Sequence, residues 1–307
     1  MSAPSKRKVV NWWVAGILAM LFFAFYGLFS KLSSFHPVIS NLIIYTTAAI
    51  CGIILVLATE RRISFSKEGF LSGIFCNIAA LIMLYSLVSN QMLVVFSFVS
   101  FASVIFFLIV WVTEKPKLSG KQQSIAATGI LVSVFGLFFA STSTVGGISY
   151  LLSNSIVDPY FLILAPLMPL GFGFWAYFSF AAIKKKNASV PIVFFNYSFA
   201  SSAIAATAYL LSSQGSGMPV SQGLSDFFPV IAGLFVAGGV ILALKSYRMT
   251  SGESRIEETI VAILANAEIV PLIFLSYFIL REFSVEGFVG ALTVFVGLSI
   301  LNSARAS

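Results

Sequence analysis

Glu268 is the residue in this sequence most suited to chemistry, because it is an acid inside an apolar segment. The segment VAILANAEIVPLIF, residues 261–274, holds no other charged side chain. A carboxylate at the centre of a bilayer costs about 2.5 kcal/mol or more, so it is kept where it is protonated, paired or facing water. Glu268 is therefore predicted to contact a substrate amine or to exchange protons. The alternative is a neutral packing acid, hydrogen-bonded to Asn77 or Asn196.

Two further features surround this acid. Pro271 follows Glu268 closely, and a proline lacks the N–H that bonds one turn back. Because carriers build their sites at discontinuous helices, Pro271 is predicted to break the helix; a packing kink is the alternative. Glu257 lies about three turns before Glu268 and shares its helix face, so it is a candidate cytoplasmic gate together with Lys245. Glu257 could instead be an acidic helix start, and Lys245 a snorkelling interface residue.

Polar side chains in other apolar runs could line a cavity with Glu268. The alternative for each is a helix–helix hydrogen bond or a place at the membrane interface. The predicted substrate-binding or proton-coupling set, with Glu268, is Asn77, Tyr85, Trp175 and Asn196.

The composition explains why these residues must be positioned by membrane helices. The 307 residues are 59% hydrophobic and 9% charged, and the mean hydropathy is +0.99. Soluble domains have about 25% charged residues, so the chain is predicted to be an all-α polytopic membrane protein. Two cysteines and one histidine offer little for a metal site, and no cofactor is predicted. The net charge of +7 is attributed to membrane topology rather than to nucleic acid.

The pattern of charge-free runs predicts ten transmembrane helices. A span needs about 20 apolar residues, and the polar dip SNQ at 89–91 divides the long run between 69 and 113 into a hairpin. The predicted spans are 9–30, 32–59, two within 69–113, 122–142, 159–183, 189–212, 227–246, 257–280 and 285–302.

The basic residues predict the orientation of these spans. With a cytoplasmic N-terminus, 16 of the 18 lysines and arginines fall on the cytoplasmic side, and only Lys31 and Arg281 fall outside. This is the positive-inside pattern. It predicts a multi-pass protein of the plasma membrane with both termini in the cytoplasm.

The two halves of the chain look alike. In each half an apolar run ends at a glutamate, and the next span carries two glycines seven residues apart. Five spans per half force opposite orientations, the inverted repeat common in secondary transporters. The predicted repeats are residues 1–150 and 151–307, which together form one transport unit. The matching residues are Glu114, Gly129 and Gly136 in the first half and Glu282, Gly290 and Gly297 in the second.

Several motifs resemble the drug/metabolite transporter superfamily, specifically its EamA-type ten-helix members. They are FYGLFSK in the first span, HPVISN at the start of the second, the glutamate-then-glycine pattern closing each half, and NAEIVPLIF in the ninth. The family usually has proline directly after the acid, whereas here Ile269 follows Glu268 and the proline is Pro271. The resemblance covers nearly the whole chain and implies a carrier with a central cavity that moves small metabolites by alternating access.

The sequence therefore predicts a secondary transporter of a small organic metabolite rather than an enzyme. A single cavity acid with few buried cations favours an amino acid or a related zwitterionic, cationic or aromatic compound, with proton coupling as an option. A channel or a non-transporting membrane scaffold is the alternative, and a membrane enzyme a more remote one. The predicted partners are the substrate and membrane lipid, with no nucleic acid; a homodimer stays open.

Overall fold

Helices make up all the regular structure in the part of the chain described here. The computed structural model describes residues 12–60, 62–89, 92–114, 119–142, 164–212, 224–250, 261, 264, 268–281 and 285–303. The α-helices are α1 (Trp12–Leu32), α2 (Pro37–Thr59), α3 (Lys67–Ser89), α4 (Met92–Ser100), α5 (Ala102–Glu114), α6 (Gly120–Thr142), α7 (Leu167–Phe180), α8 (Val190–Ser212), α9 (Phe228–Met249), α10 (Ile269–Leu275) and α11 (Val285–Ser303). A 3₁₀ turn, Leu224–Phe227, precedes α9, and π-turns follow α7 (Ala181–Lys185) and α10 (Ser276–Leu280).

Five of the described helices are long and apolar enough to cross a membrane. Their outer faces are also apolar: on α2, the side chains of Ile54 and Leu57 are 62% and 54% exposed. Large apolar side chains in such numbers on an outer surface fit lipid rather than water. The chain is therefore a helical protein suited to a membrane. The five helices are Trp12–Leu32, Pro37–Thr59, Lys67–Val88, Val190–Ser212 and Phe228–Met249, with shorter apolar helices at Phe98–Thr113, Pro271–Leu280 and Phe288–Leu301.

Local signals in the sequence set where several helices begin. His36 caps α2, since its Nδ1 accepts a hydrogen bond from the Val38 N–H at 3.4 Å, and Pro37 occupies the first turn, where no N–H is needed. Ser119 and Gln122 form a reciprocal capping box before α6: each side chain accepts from the other's backbone N–H, at 2.9 and 3.3 Å.

The hydrogen-bonded helix ends define two opposite ends of the bundle. One end carries Lys184 and Arg248 and is called the basic end. There Lys184 Nζ donates to the Thr250 carbonyl at 2.7 Å, and Arg248 donates to the Ala188 carbonyl at 3.2 Å. These contacts join the end of α9 to the segment between α7 and α8. At the far end, Lys31 Nζ donates to the Leu87 carbonyl at 2.6 Å, which joins the last turns of α1 and α3.

Contacts between the first six helices and the last five hold the bundle together. The main pairs are α1 with α9, α3 with α7, α2 with α8, α3 with α8, α2 with α9, and α5 with α7. Each pair joins one half of the chain to the other. The core therefore lies between the halves.

The α6–α11 pair is the most extensive contact in the fold, and glycines make it close. A Cβ added to Gly129 would lie 2.8 Å from the Gly297 carbonyl oxygen, and one added to Gly136 would lie 2.9 Å from that of Gly290. Since the earlier glycine of α6 meets the later glycine of α11, the two helices cross antiparallel. Small residues at such crossings let helix backbones approach in membranes.

The predicted hairpin between 69 and 113 differs from the structure in one respect. α3 ends at Ser89 and α4 begins at Met92, at the predicted polar dip. The second arm, however, is two helices, because the backbone tightens at Phe101. Its N–H bonds the Phe98 carbonyl three residues back, at 3.1 Å, and its carbonyl accepts from Val104, three residues on, at 3.0 Å. Such 3₁₀-type bonds interrupt an α-helix.

Candidate functional site

A small cavity lies in the core between the helices of both halves. The space open to the centre of a water molecule is about 30 Å³, room for roughly two waters. Side chains from α1, α2, α3, α4, α7, α8 and α9 surround it, together with Glu268 just before α10. Its lining is Phe23, Tyr26, Tyr45, Cys76, Met83, Phe96, Val99, Phe172, Trp175, Tyr197, Val236, Val240 and Glu268.

Glu268 brings a carboxyl group into this cavity with an unused acceptor. The residue is 2% exposed, and no described residue hydrogen-bonds its Oε2 atom. Its backbone carbonyl accepts from the Leu272 N–H at 3.1 Å, which holds the residue at the start of α10. A buried carboxyl oxygen without a partner costs free energy. Water, a proton or a ligand in the cavity can complete its bonding.

Trp175 brings an unused donor to the same cavity. Its side chain is buried, and its indole Nε1 has no hydrogen-bond partner among the described residues. The ring packs edge-on against Phe23, with centroids 5.7 Å apart. Buried indole N–H groups usually have an acceptor, so a ligand atom in the cavity would satisfy this one.

A thiol and two phenols form a polar cluster on the cavity wall. The Cys76 sulfur lies 3.3 Å from the Tyr197 hydroxyl and 3.6 Å from the Tyr45 hydroxyl. These groups come from α3, α8 and α2. In the sequence each of these is a polar-capable side chain inside an apolar run, a signal that other tyrosines of the chain share.

Three predicted site residues do not line the cavity. Asn77 is fully buried and pairs with Asn41 through reciprocal amide bonds of 3.2 and 3.4 Å. Asn196 donates to the Ser64 and Ile192 carbonyls, both at 2.9 Å. The Asn41–Asn77 pair joins α2 to α3, and Asn196 joins α8 to the segment before α3. No hydrogen bond among the described residues links either amide to Glu268. Tyr85 is 44% exposed and packs edge-on against His36. Of the predicted set, the cavity brings together Glu268 and Trp175.

The remaining predicted residues lie away from the cavity or outside the described residues. Lys245 is exposed near the C-terminal end of α9, and Glu257 lies outside the described residues. Pro271 is the third residue of α10, in the first turn, where a missing N–H leaves no bond unmade. Residues 265–267 are also outside the described part, so the helix break stays a prediction.

The described residues contain no cluster of three or more histidine, cysteine or acidic side chains suited to a metal. In the cavity, the groups that could act chemically are one carboxyl, three phenols, one thiol and one indole N–H. These can hold a ligand by hydrogen bonds and charge, and the carboxyl can exchange a proton.

Comparison with known proteins supports the fold. No protein-family model and no curated protein matches the chain. A crystal structure of another protein is similar to it, with a TM-score of 0.62 and 16% sequence identity over 94% of both chains. At this identity the similarity shows the shared fold and nothing about activity. The class that fold and cavity define is a helical membrane protein.

Proposed function

We propose that the protein is a secondary transporter of a small organic metabolite, working by alternating access around the central cavity. The observation that carries the proposal is the Glu268 carboxyl oxygen, which no described residue hydrogen-bonds, in a cavity between the two halves of the chain. Acids inside the membrane mark substrate or proton pathways, and carriers place their sites between their repeats. A cavity of about 30 Å³ is too small for a metabolite, so the helices must move apart to load it.

The helix contacts support two inverted repeats, residues 1–150 and 151–307. Ten spans result if α4 and α5 form one span and if α7 and α10 each continue through the π-turn that follows it. In these repeats α1 is equivalent to α7, α2 to α8, α3 to α9, and α5 to α10. When each helix is replaced by its equivalent, the α1–α9 pair becomes α3–α7, the α3–α8 pair becomes α2–α9, and the α5–α7 pair becomes α1–α10. All of these pairs are in contact. The α2–α8 and α6–α11 pairs map onto themselves. This is the pattern of a two-fold axis.

The glycine contacts bear on the relative orientation of the two halves. Gly129 meets Gly297 while Gly136 meets Gly290, and the repeat makes Gly129 equivalent to Gly290 and Gly136 to Gly297. Exchanging the two halves therefore converts one contact into the other. Because α6 and α11 cross antiparallel, an axis in the membrane plane relates them. This arrangement suits a carrier in which one bundle rocks against the other, in the plasma membrane with cytoplasmic termini.

Uptake into proteoliposomes at two pH values tests the proposal, with radiolabelled tyramine and tyrosine as probes. A carrier saturates and shows counterflow, whereas a channel does neither. The Glu268→Gln variant keeps the side chain's shape and loses its charge; we expect it to fold normally and to lose uptake or its pH dependence. Glu68→Gln, in the first turn of α3 and outside the cavity, is the matched control. Normal pH-dependent uptake by Glu268→Gln would end the proposal for this site.

A further inference from the structure

We infer that the cavity selects an organic amine without a carboxylate, binding its ammonium group at Glu268 and a neutral acceptor at Trp175. This inference rests on the proposed transport function and names its substrate class. The sequence allows zwitterionic, cationic or aromatic substrates, and the inference restricts them to the cationic class.

The charges around the cavity carry the first step. Among the described residues that line it, Glu268 is the one group that is charged in its ordinary state near neutral pH, and no lysine, arginine or histidine is present. A buried charge is tolerated when it is paired. An ammonium ion beside an ionised Glu268 gives a neutral pair. An amino acid beside the same carboxylate leaves one uncompensated negative charge.

The rings around the cavity carry the second step. Seven of the lining residues are aromatic: Phe23, Tyr26, Tyr45, Phe96, Phe172, Trp175 and Tyr197. The faces of aromatic rings attract cations, and tryptophan does so most strongly. The same rings repel an anion from their faces. A lining of this kind therefore favours an ammonium group and an apolar or aromatic body over a carboxylate.

The unused donor at Trp175 carries the third step. Among the described residues the indole N–H has no acceptor and the Tyr26 hydroxyl has no hydrogen-bond partner, whereas the Tyr197 and Tyr45 hydroxyls already contact Cys76. A ligand with a neutral acceptor, such as a hydroxyl or a carbonyl oxygen, satisfies the indole. A site built to hydrogen-bond a ligand group discriminates against an analogue that lacks it. Glu268 thus selects for the amine and Trp175 for the acceptor.

Binding of four related compounds to the purified full-length protein tests this inference. The compounds are tyramine, phenethylamine, tyrosine and hydroxyphenylpropionate, which differ in the amine, hydroxyl and carboxylate. We expect tyramine to bind about tenfold or more tightly than tyrosine, a difference of about 1.4 kcal/mol, and hydroxyphenylpropionate not to bind. Tyramine binding should weaken as the pH falls, since a proton competes with the ammonium group for the carboxylate.

Variants separate the two roles. Glu268→Gln should weaken both amines about tenfold or more, and Trp175→Phe should weaken tyramine clearly more than phenethylamine, because only tyramine has a hydroxyl to accept from the indole N–H. Glu68→Gln should change neither. Tyrosine binding as tightly as tyramine, or no binding by either amine, overturns the inference. If tyrosine shows saturable counterflow and tyramine does not, the transport proposal stands while the amine class falls; if no probe does, transport falls as well.

Discussion

Tyr197 and Cys76 meet at the wall of the central cavity, where the phenol oxygen lies 3.3 Å from the sulfur across 121 residues of sequence. The phenol belongs to α8, in the second half of the chain, and the thiol to α3, in the first. Their contact joins the two halves at the cavity. Cys76 is therefore placed to report on the cavity, and the chain has one other cysteine, Cys51.

A small charged methanethiosulfonate reagent should label Cys76 through the cavity. In a Cys51→Ser variant, where Cys76 is the sole thiol, we expect slow labelling that tyramine slows further, because ligand and reagent occupy the same space. Mass spectrometry of the intact protein measures the rate. The control is Cys76→Ser, which leaves the partly buried Cys51 of α2. Equal protection of Cys51, or none of Cys76, would show that the amine binds elsewhere.

Three aromatic side chains form a buried cluster beyond the cavity, toward the basic end. Phe106, Phe180 and Tyr247 are fully buried, and their ring centroids are 6.0 to 6.3 Å apart. Phe180 lies five residues beyond Trp175, about 7.5 Å along the helix, in the direction of Lys184. The cluster thus stands between the cavity and that end of the bundle.

Removing one ring from this cluster should open the cavity from the basic end. In the Cys51→Ser background, Phe180→Ala is expected to raise the labelling rate of Cys76 severalfold for reagent supplied on the Lys184 side, and to lower the melting temperature, since such truncations cost about 3–5 kcal/mol. Phe199→Ala, an exposed position on α8, is the control and should change neither. An unchanged labelling rate in a folded Phe180→Ala protein would show that the cluster is packing alone.

The helices could be predicted from the sequence, whereas most of the cavity could not. Long apolar runs and the dip at Ser89 locate helix ends because lipid requires apolar side chains over a fixed length. Glu268 is conspicuous as a charge in such a run. Tyr45, Cys76 and Tyr197 are not, because lipid and protein interior are both apolar in a membrane. Hydrophobic periodicity then does not reveal which face of a helix turns inward.

Asn77, in contrast, was predicted as a site residue but does not line the cavity. A buried amide inside a span suggests a ligand contact, but its partner Asn41 lies 36 residues away, and nothing in the local sequence pairs them. The break at Phe101 was likewise not predicted, because an unbroken apolar run gives no sign of where hydrogen bonds shift from four to three residues.

The Asn41–Asn77 pair should act as a structural contact. Asn77→Leu leaves the Asn41 amide buried and unpaired, which costs about 1–3 kcal/mol, so the melting temperature should fall. The double variant with Asn41→Leu removes both polar groups and should recover much of the loss, with binding of the amine intact. A double variant that melts normally but binds no amine would instead place the pair in the binding site.

The orientation predicted from the basic residues can be tested with reporter fusions. A fusion after Tyr150 should report the outside and one after Lys186 the cytoplasm, because the positive-inside pattern places 16 of 18 basic residues on the cytoplasmic side. A fusion after Lys121 is the control and should agree with Lys186. The opposite pair of results would invert the proposed topology.

The crossing of α6 and α11 should tolerate no side chain at its glycines. A Cβ on Gly129 would lie 2.5 Å from the Leu301 backbone nitrogen and 2.8 Å from the Gly297 carbonyl oxygen, and neither backbone atom can move without shifting its helix. Gly129→Leu is therefore expected to destabilise the protein by about 1–3 kcal/mol, measured as a lower melting temperature in detergent. Gly120→Leu is the matched control on the same helix, because nothing lies within 4 Å of its added Cβ. Equal melting temperatures for the two variants would mean that α6 and α11 do not meet at Gly129.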